Sequence, residues 1–533
     1  MAYYKDLREY LQKLEESGKL IRIKSQINKD TQMHPLVRLQ FRGLPEEQRK
    51  AFLFENVIDS RGRQFNIPVL VAALAGSLDI YALGMMCKPE EIGAKFNQAQ
   101  LHPIEPKMVD SGPVYEEVHI GDSLLEHGGL DEFPIPISTP GYDAAPYIAA
   151  SAWITKDPET GIRNVGTYRA QVKAPLRTGI SFDNLTKGGA IHWVTCKEKG
   201  IPLEAAIVIG GPPSLGYVSS AKIPRDVDEF SVAGGIAGEP VELVKCKTVD
   251  LEVPANAEVV IEGELSSDMV EPEAPFGESR GFVGLTDMFP YFTIKCIAHR
   301  KKPIWLTFIS QFPPSESTKL RQPSSEAILY EYLRDELKML HVLAVSCHEA
   351  GSSGRLFVIQ MKKAESAEVW RTLEEAVKRF PMIKIIVAVD EDINPRDMEA
   401  VSQSMCQRMI PHRDCRIQKF DTPLLIDPSF GPIDELEKER ESSTEKLIEN
   451  SRLLIDTTIK WPYPPISLPK KEFMDEALRL WQKEGLPELK LKEPWWGQNL
   501  GYWSPEDEEK AALAVKGEYY RTGDNYAIKR RPG

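Results

Sequence analysis

The sequence predicts a mixed α/β protein of several domains, with an α/β domain at each end and a β-rich domain between them. Three observations predict this class. An amphipathic helix followed by a strand begins the chain, strand-like runs dominate the middle third, and strands alternate with helices from about residue 316 onward. The chain has 533 residues, which is long enough for several hydrophobic cores.

The N-terminal α/β domain is predicted over residues 1–115. Asp6 can cap a first helix that stops at Gly18, and the run LIRIKSQI that follows is typical of a strand. The apolar positions of this helix lie on one face: Leu7, Tyr10, Leu11 and Leu14.

The central domain is predicted over residues 116–315. Its strand-like runs are VGTYRAQVKA, EAAIVIGG, VELVKCKTVDLEV, AEVVIEGEL, YFTIKCIAH and PIWLTFI. Turn residues separate these runs at short intervals and helices are few, which is typical of an antiparallel barrel or sandwich.

The C-terminal α/β domain is predicted over residues 316–465. RLFVIQM, SAEVWRTLEEAVKRF and IKIIVAVD follow one another as the strand, helix and strand of a parallel unit. A last helix, EFMDEALRLWQKE, and an aromatic tail make up residues 466–533. Because large apolar rings rarely stay exposed, we expect this tail to pack on its own body or on a neighbouring subunit. These rings are Trp495, Trp496, Tyr502 and Trp503.

Composition and charge argue against several classes of function. The 66 basic and 79 acidic side chains give a net charge of −13, which would repel a phosphate backbone and disfavours nucleic-acid binding. Apolar runs are too short to cross a membrane and the start MAYYKDLREYLQKLEE is unlike a targeting peptide, so we expect a cytoplasmic protein. The 7 cysteines are scattered without a CxxC pair, and we expect them to be buried and reduced.

Two carboxylates flank a turn in the motif EAPFGE. Glu273 and Glu278 can lie in different environments there, so that one stays protonated as an acid while the other stays ionised. An ordinary surface turn between two glutamates is the alternative.

A second motif, NVGTYRAQV, contains Asn164 and Arg169. On one extended strand these side chains would face opposite sides. The arginine can clamp a substrate carboxylate through two parallel hydrogen bonds, or it can hold a glutamate ionised. A surface arginine is the alternative.

A third segment, GGPPSLGYVSSAKIPRDVDE, is rich in small residues that allow close approach of the backbone to a ligand. Free carbonyl groups near Ser219 and Ser220, together with Glu229, would suit a hard cation. By itself this pattern is unspecific.

Taken together, the three motifs are specific. NxGxxRxQ, then GxPPxxxxxSSxxIP, then PFGE followed by Gly281, resemble the UbiD family of reversible decarboxylases in order and separation. The run GEPVELVKCKTVDLEVPANAEVVIEGEL is also similar to that family. The resemblance covers roughly residues 5 to 450, and it implies an N-terminal α/β domain, a central split β-barrel that binds prenylated FMN, and a C-terminal α/β domain.

The resemblance also implies catalytic roles. Arg169, Glu273 and Glu278 match the family's catalytic cluster. Glu278 would give or take the proton at the carbon that loses CO2, while Arg169 and Glu273 would shape its charged surroundings.

Two cations are implied by the same resemblance. Asn164 and Glu229 match two of three side chains that hold a divalent metal, Mn²⁺ or Fe²⁺, at the cofactor phosphate. A K⁺ site beside it matches the backbone around Val165, Val218, Ser219 and Ala221, with Glu229. The implied cofactor-binding residues are Asn164, Val165, Lys187, Ser219, Ser220 and Glu229.

One position departs from the family pattern. The third metal ligand is a histidine in the family, but here Lys187 stands in its place, or Thr186 if the gap falls one residue earlier. His192 lies five residues beyond Lys187. An ammonium cannot ligate a metal without losing its proton. Either the metal has fewer protein ligands, or the charge of Lys187 partly replaces it, or Lys187 is a surface residue.

The resemblance implies reversible, non-oxidative decarboxylation of an aromatic or α,β-unsaturated acid, or of its CoA thioester, with prenylated FMN. The alternatives are the catalytic subunit of a carboxylase complex that fixes CO2, a non-catalytic partner subunit of such a complex, and a plain flavin reductase. The long tail resembles members that act on aromatic acids or on esters such as phthaloyl-CoA. A flavin prenyltransferase would supply the cofactor, and we expect a homo-oligomer, a dimer or a hexamer.

Overall fold

The structure is a computed structural model that describes residues 2–182, 188–273, 275–284, 286–423, 427, 429–432, 435 and 447–532. Its helices are α1 (Leu7–Glu16), α2 (Met33–Gly43), α3 (Leu78–Met85), α4 (Ile92–Leu101), α5 (Ser123–Glu126), α6 (Gly188–Lys199), α7 (Pro213–Ser220), α8 (Glu229–Ala237), α9 (Glu316–Glu331), α10 (Ser366–Arg379), α11 (Met398–Arg408), α12 (Pro411–Asp414), α13 (Lys471–Lys483), α14 (Pro505–Val515) and α15 (Tyr519–Ile528).

The strands are β1 (Leu20–Ile23), β2 (Ile27–Asn28), β3 (Ala51–Phe54), β4 (Val57–Ile58), β5 (Gln64–Phe65), β6 (Val69–Val71), β7 (Lys107–Met108), β8 (Glu117–Ile120), β9 (Tyr147–Ile148), β10 (Ser151–Lys156), β11 (Arg163–Gly166), β12 (Ala170–Ala174), β13 (Arg177–Gly179), β14 (Leu203–Ile209), β15 (Glu242–Lys245), β16 (Glu252–Pro254), β17 (Val259–Glu273), β18 (Phe276–Gly277), β19 (Val283–Gly284), β20 (Asp287–His299), β21 (Trp305–Thr307), β22 (Val342–Cys347), β23 (Leu356–Met361), β24 (Ile385–Asp390), β25 (Cys415–Pro423) and β26 (Leu447–Asp456).

The first helix forms as the sequence predicts. The Asp6 carboxylate accepts hydrogen bonds from the backbone N–H groups of Arg8 and Glu9, which satisfies two donors at the start of α1. Gly18 follows the helix with a φ of 66°, in the left-handed region that glycine adopts without strain. The four apolar side chains of the predicted face are buried.

A four-stranded sheet in the order β1-β3-β6-β21 forms the centre of the N-terminal body. Its last strand comes from the run PIWLTFI, which we predicted in the central antiparallel sheet. That assignment is wrong, because Trp305–Thr307 pairs in parallel with Val69–Val71. The three residues of β21 are all buried, as expected of a parallel strand that is covered on both faces.

The central sheet is antiparallel and curled, as predicted, and it has the order β11-β10-β14-β17-β20-β13-β12-β9, with β8 paired to β20. The run VELVKCKTVDLEV was wrongly predicted in this sheet, because its strands β15 and β16 form a separate three-stranded sheet in which β15 pairs in parallel with β7. The long hairpin of β17 and β20 breaks register between Glu262 and Gly263. A Cβ at Gly263 would meet the Thr293 carbonyl oxygen at 2.0 Å, so only glycine fits at this bulge. Such bulges increase twist and let a sheet curl into a half-barrel.

Helices pack against this sheet more extensively than the sequence indicated. The segment GGPPSLGYVSS, which we read as a ligand-approaching stretch of small residues, contains α7. The glycine within α7, Gly216, packs closely against Leu74, because a Cβ there would meet Leu74 Cδ1 at 2.6 Å. Asp228 then caps α8, which begins at Glu229.

The predicted parallel unit of the C-terminal domain is confirmed. Strands β23 and β24 pair in parallel, and the amphipathic helix α10 connects them. They belong to a five-stranded sheet in the order β22-β23-β24-β26-β25. The overall class is therefore the predicted one, a mixed α/β protein of several domains with a curled antiparallel sheet at its centre.

The tail keeps some of its rings exposed. Helices α13, α14 and α15 contain no buried residue, and Tyr502 and Trp503 remain 67% and 40% exposed. Trp495 and Trp496 are half-buried, and packing of the tail on its own body stays a prediction. Docking on a neighbouring subunit also stays a prediction.

Two further sequence expectations have structural outcomes. All 7 cysteines are free, but only Cys196, Cys296 and Cys347 are buried and Cys406 is exposed, so the expectation of general burial is wrong. Within the described ranges, no helix combines the length and apolarity that a membrane crossing requires.

Candidate active site

A cavity of about 720 Å³ opens beside the central sheet. Its wall contains residues 162–169 in and after β11, residues 219–223 at the end of α7, and residues 278–280 of the small β18–β19 hairpin. A volume of this size holds a ligand as large as a nucleotide cofactor together with a small substrate. The three motifs of the sequence thus meet on one cavity.

Arg169 joins both glutamates of the EAPFGE motif. Its Nε and Nη2 donate to the two carboxylate oxygens of Glu273 at 3.0 and 2.6 Å, and its Nη1 is paired with Glu278. The Glu273 side chain is fully buried whereas Glu278 is 28% exposed and lines the cavity. The two carboxylates therefore lie in different environments, as the motif predicted.

Tightly packed neighbours hold the turn between the two glutamates. Phe276 lies under the Arg169 guanidinium, 5.2 Å from ring centre to Cζ, and the Tyr147 ring packs against Phe276 at 4.5 Å. Burial, and then the nearby Glu273 carboxylate, raise the pKa of Tyr147. The sequence did not point to Tyr147, which comes from an inconspicuous strand more than 100 residues earlier.

Gly277, in the same turn, lies in close contact with Thr139. A Cβ there would meet Thr139 Oγ1 at 2.0 Å. The Gly277 N–H donates to Asp143 Oδ1 at 2.8 Å, and burial raises the pKa of Asp143. The segment around Thr139 and Asp143 therefore holds the backbone of Gly277, the residue before Glu278, and the sequence did not point to this segment.

The prediction that Asn164 and Arg169 lie on one extended strand is wrong. Strand β11 ends at Gly166 and β12 begins at Ala170, so Arg169 lies in the connection. The chain turns there because the Thr167 N–H donates to the Ser219 carbonyl at 2.8 Å and not to a neighbouring strand. As a result, both side chains line the same cavity.

Asn164 and Glu229 lie on neighbouring parts of the cavity wall. Asn164 Nδ2 donates to the Tyr168 hydroxyl at 3.4 Å, and Glu229 Oε2 accepts from the Val165 N–H at 3.1 Å. Burial raises the pKa of Glu229 to about 8. A bound cation would remove that penalty, because opposite charge favours the ionised carboxylate.

Ser219 and Ser220 end helix α7 at the cavity. Both hydroxyls donate back to the Gly216 carbonyl, and Ser219 Oγ also contacts Thr167 Oγ1 at 2.9 Å. Because the Ser219 carbonyl accepts from Thr167, it is not free as we expected, although an oxygen of this type has a second lone pair for a cation.

Lys187 and Thr186 lie outside the described residues. The nearby His192 is described: it is buried at the cavity, its Nδ1 lies 2.9 Å from Thr155 Oγ1, and its Nε2 lies 3.9 Å from Asp157. Burial lowers the pKa of His192, which favours the neutral imidazole.

The cavity is suited to an anionic ligand. The first turn of α6 reaches it through Gly188, Ile191 and His192, and the start of a helix favours negative charge. Gly188 lies against Asn164, since a Cβ there would meet Asn164 Oδ1 at 2.0 Å and displace that side chain. Among the described residues, six cationic side chains line the wall beside four carboxylates. The cations are Arg163, Arg169, Lys222, Arg225, Arg280 and Arg321, and the carboxylates are Asp157, Asp226, Glu229 and Glu278.

Three family models match the chain between residues 11 and 456. They describe the N-terminal domain (residues 11–100), the Rift-related domain (residues 107–313) and the C-terminal domain (residues 320–456) of 3-octaprenyl-4-hydroxybenzoate carboxy-lyase. An uncharacterized protein of Aquifex aeolicus is 34% identical over 492 residues, which is 86% of this chain and 93% of the relative.

Solved structures agree with these matches. The UbiD-class enzyme HmfF from Pelotomaculum thermopropionicum, in complex with FMN, is 30% identical with a TM-score of 0.74, over 89% of this chain and 99% of that one. Vanillic acid decarboxylase from Sedimentibacter hydroxybenzoicus, in closed form, is 26% identical with a TM-score of 0.76, over 91% of this chain and 100% of that one.

The fold, the cavity and the buried arginine–glutamate cluster define an enzyme of the carboxy-lyase class. This chain belongs to the UbiD family.

Proposed function

We propose that this chain catalyses the reversible, non-oxidative decarboxylation of an aromatic or α,β-unsaturated carboxylic acid, or of its CoA thioester, with prenylated FMN. The observation that carries the proposal is the contact of Arg169 with both Glu273 and Glu278 on the wall of a cavity of about 720 Å³. One arginine between a buried and a partly exposed glutamate supplies a positioned acid–base group beside a substrate site.

The cavity fits the flavin in size and charge. The start of α6 and the surrounding cationic side chains suit the flavin phosphate, and Asn164, Val165, Ser219 and Ser220 would hold it. Removal of CO2 from an sp² carbon leaves electron density that no side chain accepts, and the bound prenylated flavin supplies that electron sink. The structure of HmfF with FMN supports this assignment.

The proposal includes K⁺ and, at the cofactor phosphate, either a divalent metal or the charge of Lys187 in its place. Asn164 and Glu229 offer amide and carboxylate oxygens, the ligands that Mn²⁺ prefers, while Fe²⁺ also accepts them. The raised pKa of Glu229, caused by burial, fits a carboxylate that a cation keeps ionised. The backbone of Val165, Val218, Ser219 and Ala221 would provide oxygens for K⁺.

The side chains around Arg169 have different roles in the proposed reaction. Glu278 faces the cavity and would deliver or take the proton at the reacting carbon, while Glu273 and Phe276 fix the Arg169 guanidinium beside it. A general acid–base group of this kind accelerates a reaction by about 10²–10⁴-fold.

Two alternatives concern direction and role. A carboxylase subunit would use the same residues toward CO2 fixation, because a catalyst serves both directions. A non-catalytic partner subunit is disfavoured, since such a scaffold has no need of all three residues Arg169, Glu273 and Glu278.

The vanillic acid decarboxylase relative favours a small aromatic acid as substrate. We further propose a cytoplasmic homo-oligomer whose cofactor comes from a flavin prenyltransferase.

The experiment is production of the full chain with and without a flavin prenyltransferase. We expect mass spectrometry to show prenylated FMN in the first preparation only. In deuterated water, that preparation should also place deuterium on the carbon that loses CO2. We expect this for some members of a panel of aromatic acids and thioesters. Carefully reconstituted protein that carries no flavin of any kind would contradict the proposal.

A further inference from the structure

Three histidines and a glutamate meet at the other end of the central hairpin. His119 lies on β8, His127 follows α5, Glu132 ends the short turn Gly129–Glu132, and His299 ends β20. They converge because β8 pairs antiparallel with β20, which puts His119 opposite Ile297. We name these four residues the His–Glu cluster.

Their polar atoms lie close together. One ligand atom each from His119, His127 and Glu132 lie within 4.8 Å of one another. His299 Nε2 lies 3.1 Å from His119 Nε2 and 3.4 Å from Glu132 Oε1. Two nitrogens on one tetrahedral zinc ion, each bound at about 2.0–2.1 Å, are separated by roughly 3.3 Å, which is close to the distance between the two imidazoles.

The tautomer of His299 is set by its surroundings. His299 Nδ1 lies 2.7 Å from the Arg300 carbonyl oxygen, which can only accept, so Nδ1 carries the proton. Nε2 then presents a lone pair to the cluster when the ring is neutral. This is the arrangement of a metal-binding histidine, whose second nitrogen donates to a carbonyl or carboxylate.

The cluster contains two buried histidines and one exposed histidine. His119 and His299 are 5% and 4% exposed, whereas His127 is exposed and lies over His119 with ring centres 3.9 Å apart. Phe133 closes one side against His299, with ring centres 5.6 Å apart.

We propose that the His–Glu cluster binds one divalent transition-metal ion of the zinc type, through imidazole nitrogens and the Glu132 carboxylate. Borderline nitrogen and carboxylate donors of this composition are those that zinc prefers. None of the four residues lines the 720 Å³ cavity, so this site is separate from the flavin-associated cation. The ion would tie the loop after β8 to the end of β20, and its role is structural.

The test is zinc binding by the full chain after treatment with a chelator. The protein is loaded with ZnCl₂, desalted and measured by elemental analysis, and Co²⁺ is then used in place of zinc for its visible absorption. Four variants separate the sites: His127→Ala, His119→Gln, His102→Ala and Glu229→Gln. His102 is an exposed histidine outside the cluster and serves as the control.

We expect a tightly held zinc that His102→Ala and Glu229→Gln retain, and a tetrahedral Co²⁺ spectrum in the same samples. His127→Ala should weaken zinc binding by about ten-fold or more, and because His127 is exposed this variant should fold. If His127→Ala and His119→Gln hold zinc like the unmodified chain, or if the chain retains none, the cluster is only a hydrogen-bonded network.

Discussion

At the scale of single residues, the site depends on the contacts of one arginine, Arg169, with two carboxylates. Arg169 binds Glu273 through two nitrogens and has a third nitrogen for Glu278. Glu273 is fully buried against the arginine, whereas Glu278 also lines the cavity. This asymmetry is the physical basis for giving the proton transfer to Glu278.

Replacing Glu278 by Gln tests that role. Gln keeps the shape and the hydrogen bonding but cannot titrate, so we expect turnover to fall by about 10²–10⁴-fold with the flavin still bound. The measurement is deuterium exchange at the reacting carbon together with the flavin spectrum. Glu198→Gln, an exposed glutamate outside the cavity wall, is the control. Unchanged turnover in Glu278→Gln would move the proton transfer to another residue.

Lys187 carries the second prediction at this scale. If its ammonium stands where the family has a metal-binding histidine, it serves the flavin phosphate as a point charge and partly replaces the ion. We expect weak or absent manganese in the purified holoenzyme, and turnover that survives a chelator. Lys187→His should restore one metal per flavin, while Lys187→Ala should lose cofactor. Elemental analysis decides, and one tightly held manganese or iron per flavin in the unmodified chain would contradict the idea.

At the scale of elements, local periodicity was sufficient for some predictions and not for others. Helix α1 and the parallel pair β23–β24 followed from their own residues, since capping and apolar spacing are local. The assignment of β21 and the shape of the Asn164–Arg169 segment failed, because distant partners decide them. Strand β21 joins β6 across more than 200 residues, and Thr167 turns toward Ser219. The domain boundaries stay predictions.

The candidate site shows the same division. The motifs pointed to Asn164, Arg169, Glu229 and Glu278, all of which line one cavity. Tyr147 and the Asp143 loop escaped notice, because their relevance arises only when the turn of EAPFGE folds onto them. The roles that we assign to the motif residues rest on the family resemblance and on the proposal above.

The arginine–glutamate pair joins the β11–β12 connection to the end of β17, and its removal is the third prediction. Arg169→Met leaves Glu273 buried without its partner, so we expect a loss of about 3–5 kcal/mol of unfolding free energy. The double variant Arg169→Met, Glu273→Leu should recover most of that loss, because buried apolar groups replace a buried ion pair at little cost. Both variants should be inactive.

Denaturant unfolding measures the effect of each variant on stability, and the deuterium-exchange assay measures its effect on activity. An ion pair kept for stability alone would leave the double variant active. Full activity in the double variant would therefore contradict a functional role for the pair.

At the scale of the whole molecule, the tail keeps several large apolar side chains exposed. Helix α13 has Phe473, Ala477 and Leu480 on one face at spacings of four and three residues, and all three are exposed. Exposed apolar faces of this kind mark interaction sites. Ion pairs of Lys490 with Glu47 and of Lys492 with Glu399 hold the tail near the body. A second copy of the chain is the occupant that we expect for this face.

The last prediction follows from that exposure. A chain that ends at residue 465 loses no buried residue of α13, α14 or α15, so its body should keep its melting temperature within a few degrees. We expect its mass in solution, measured by light scattering after gel filtration, to fall below that of the full chain. Phe473→Asp with Leu480→Asp should act in the same direction, because two carboxylates on the apolar face would have to be desolvated in the interface. Glu476→Gln on the same helix is the matched control and should leave the assembly unchanged. A full chain that is already monomeric, or a truncated chain with an undiminished subunit number, would assign the tail another role.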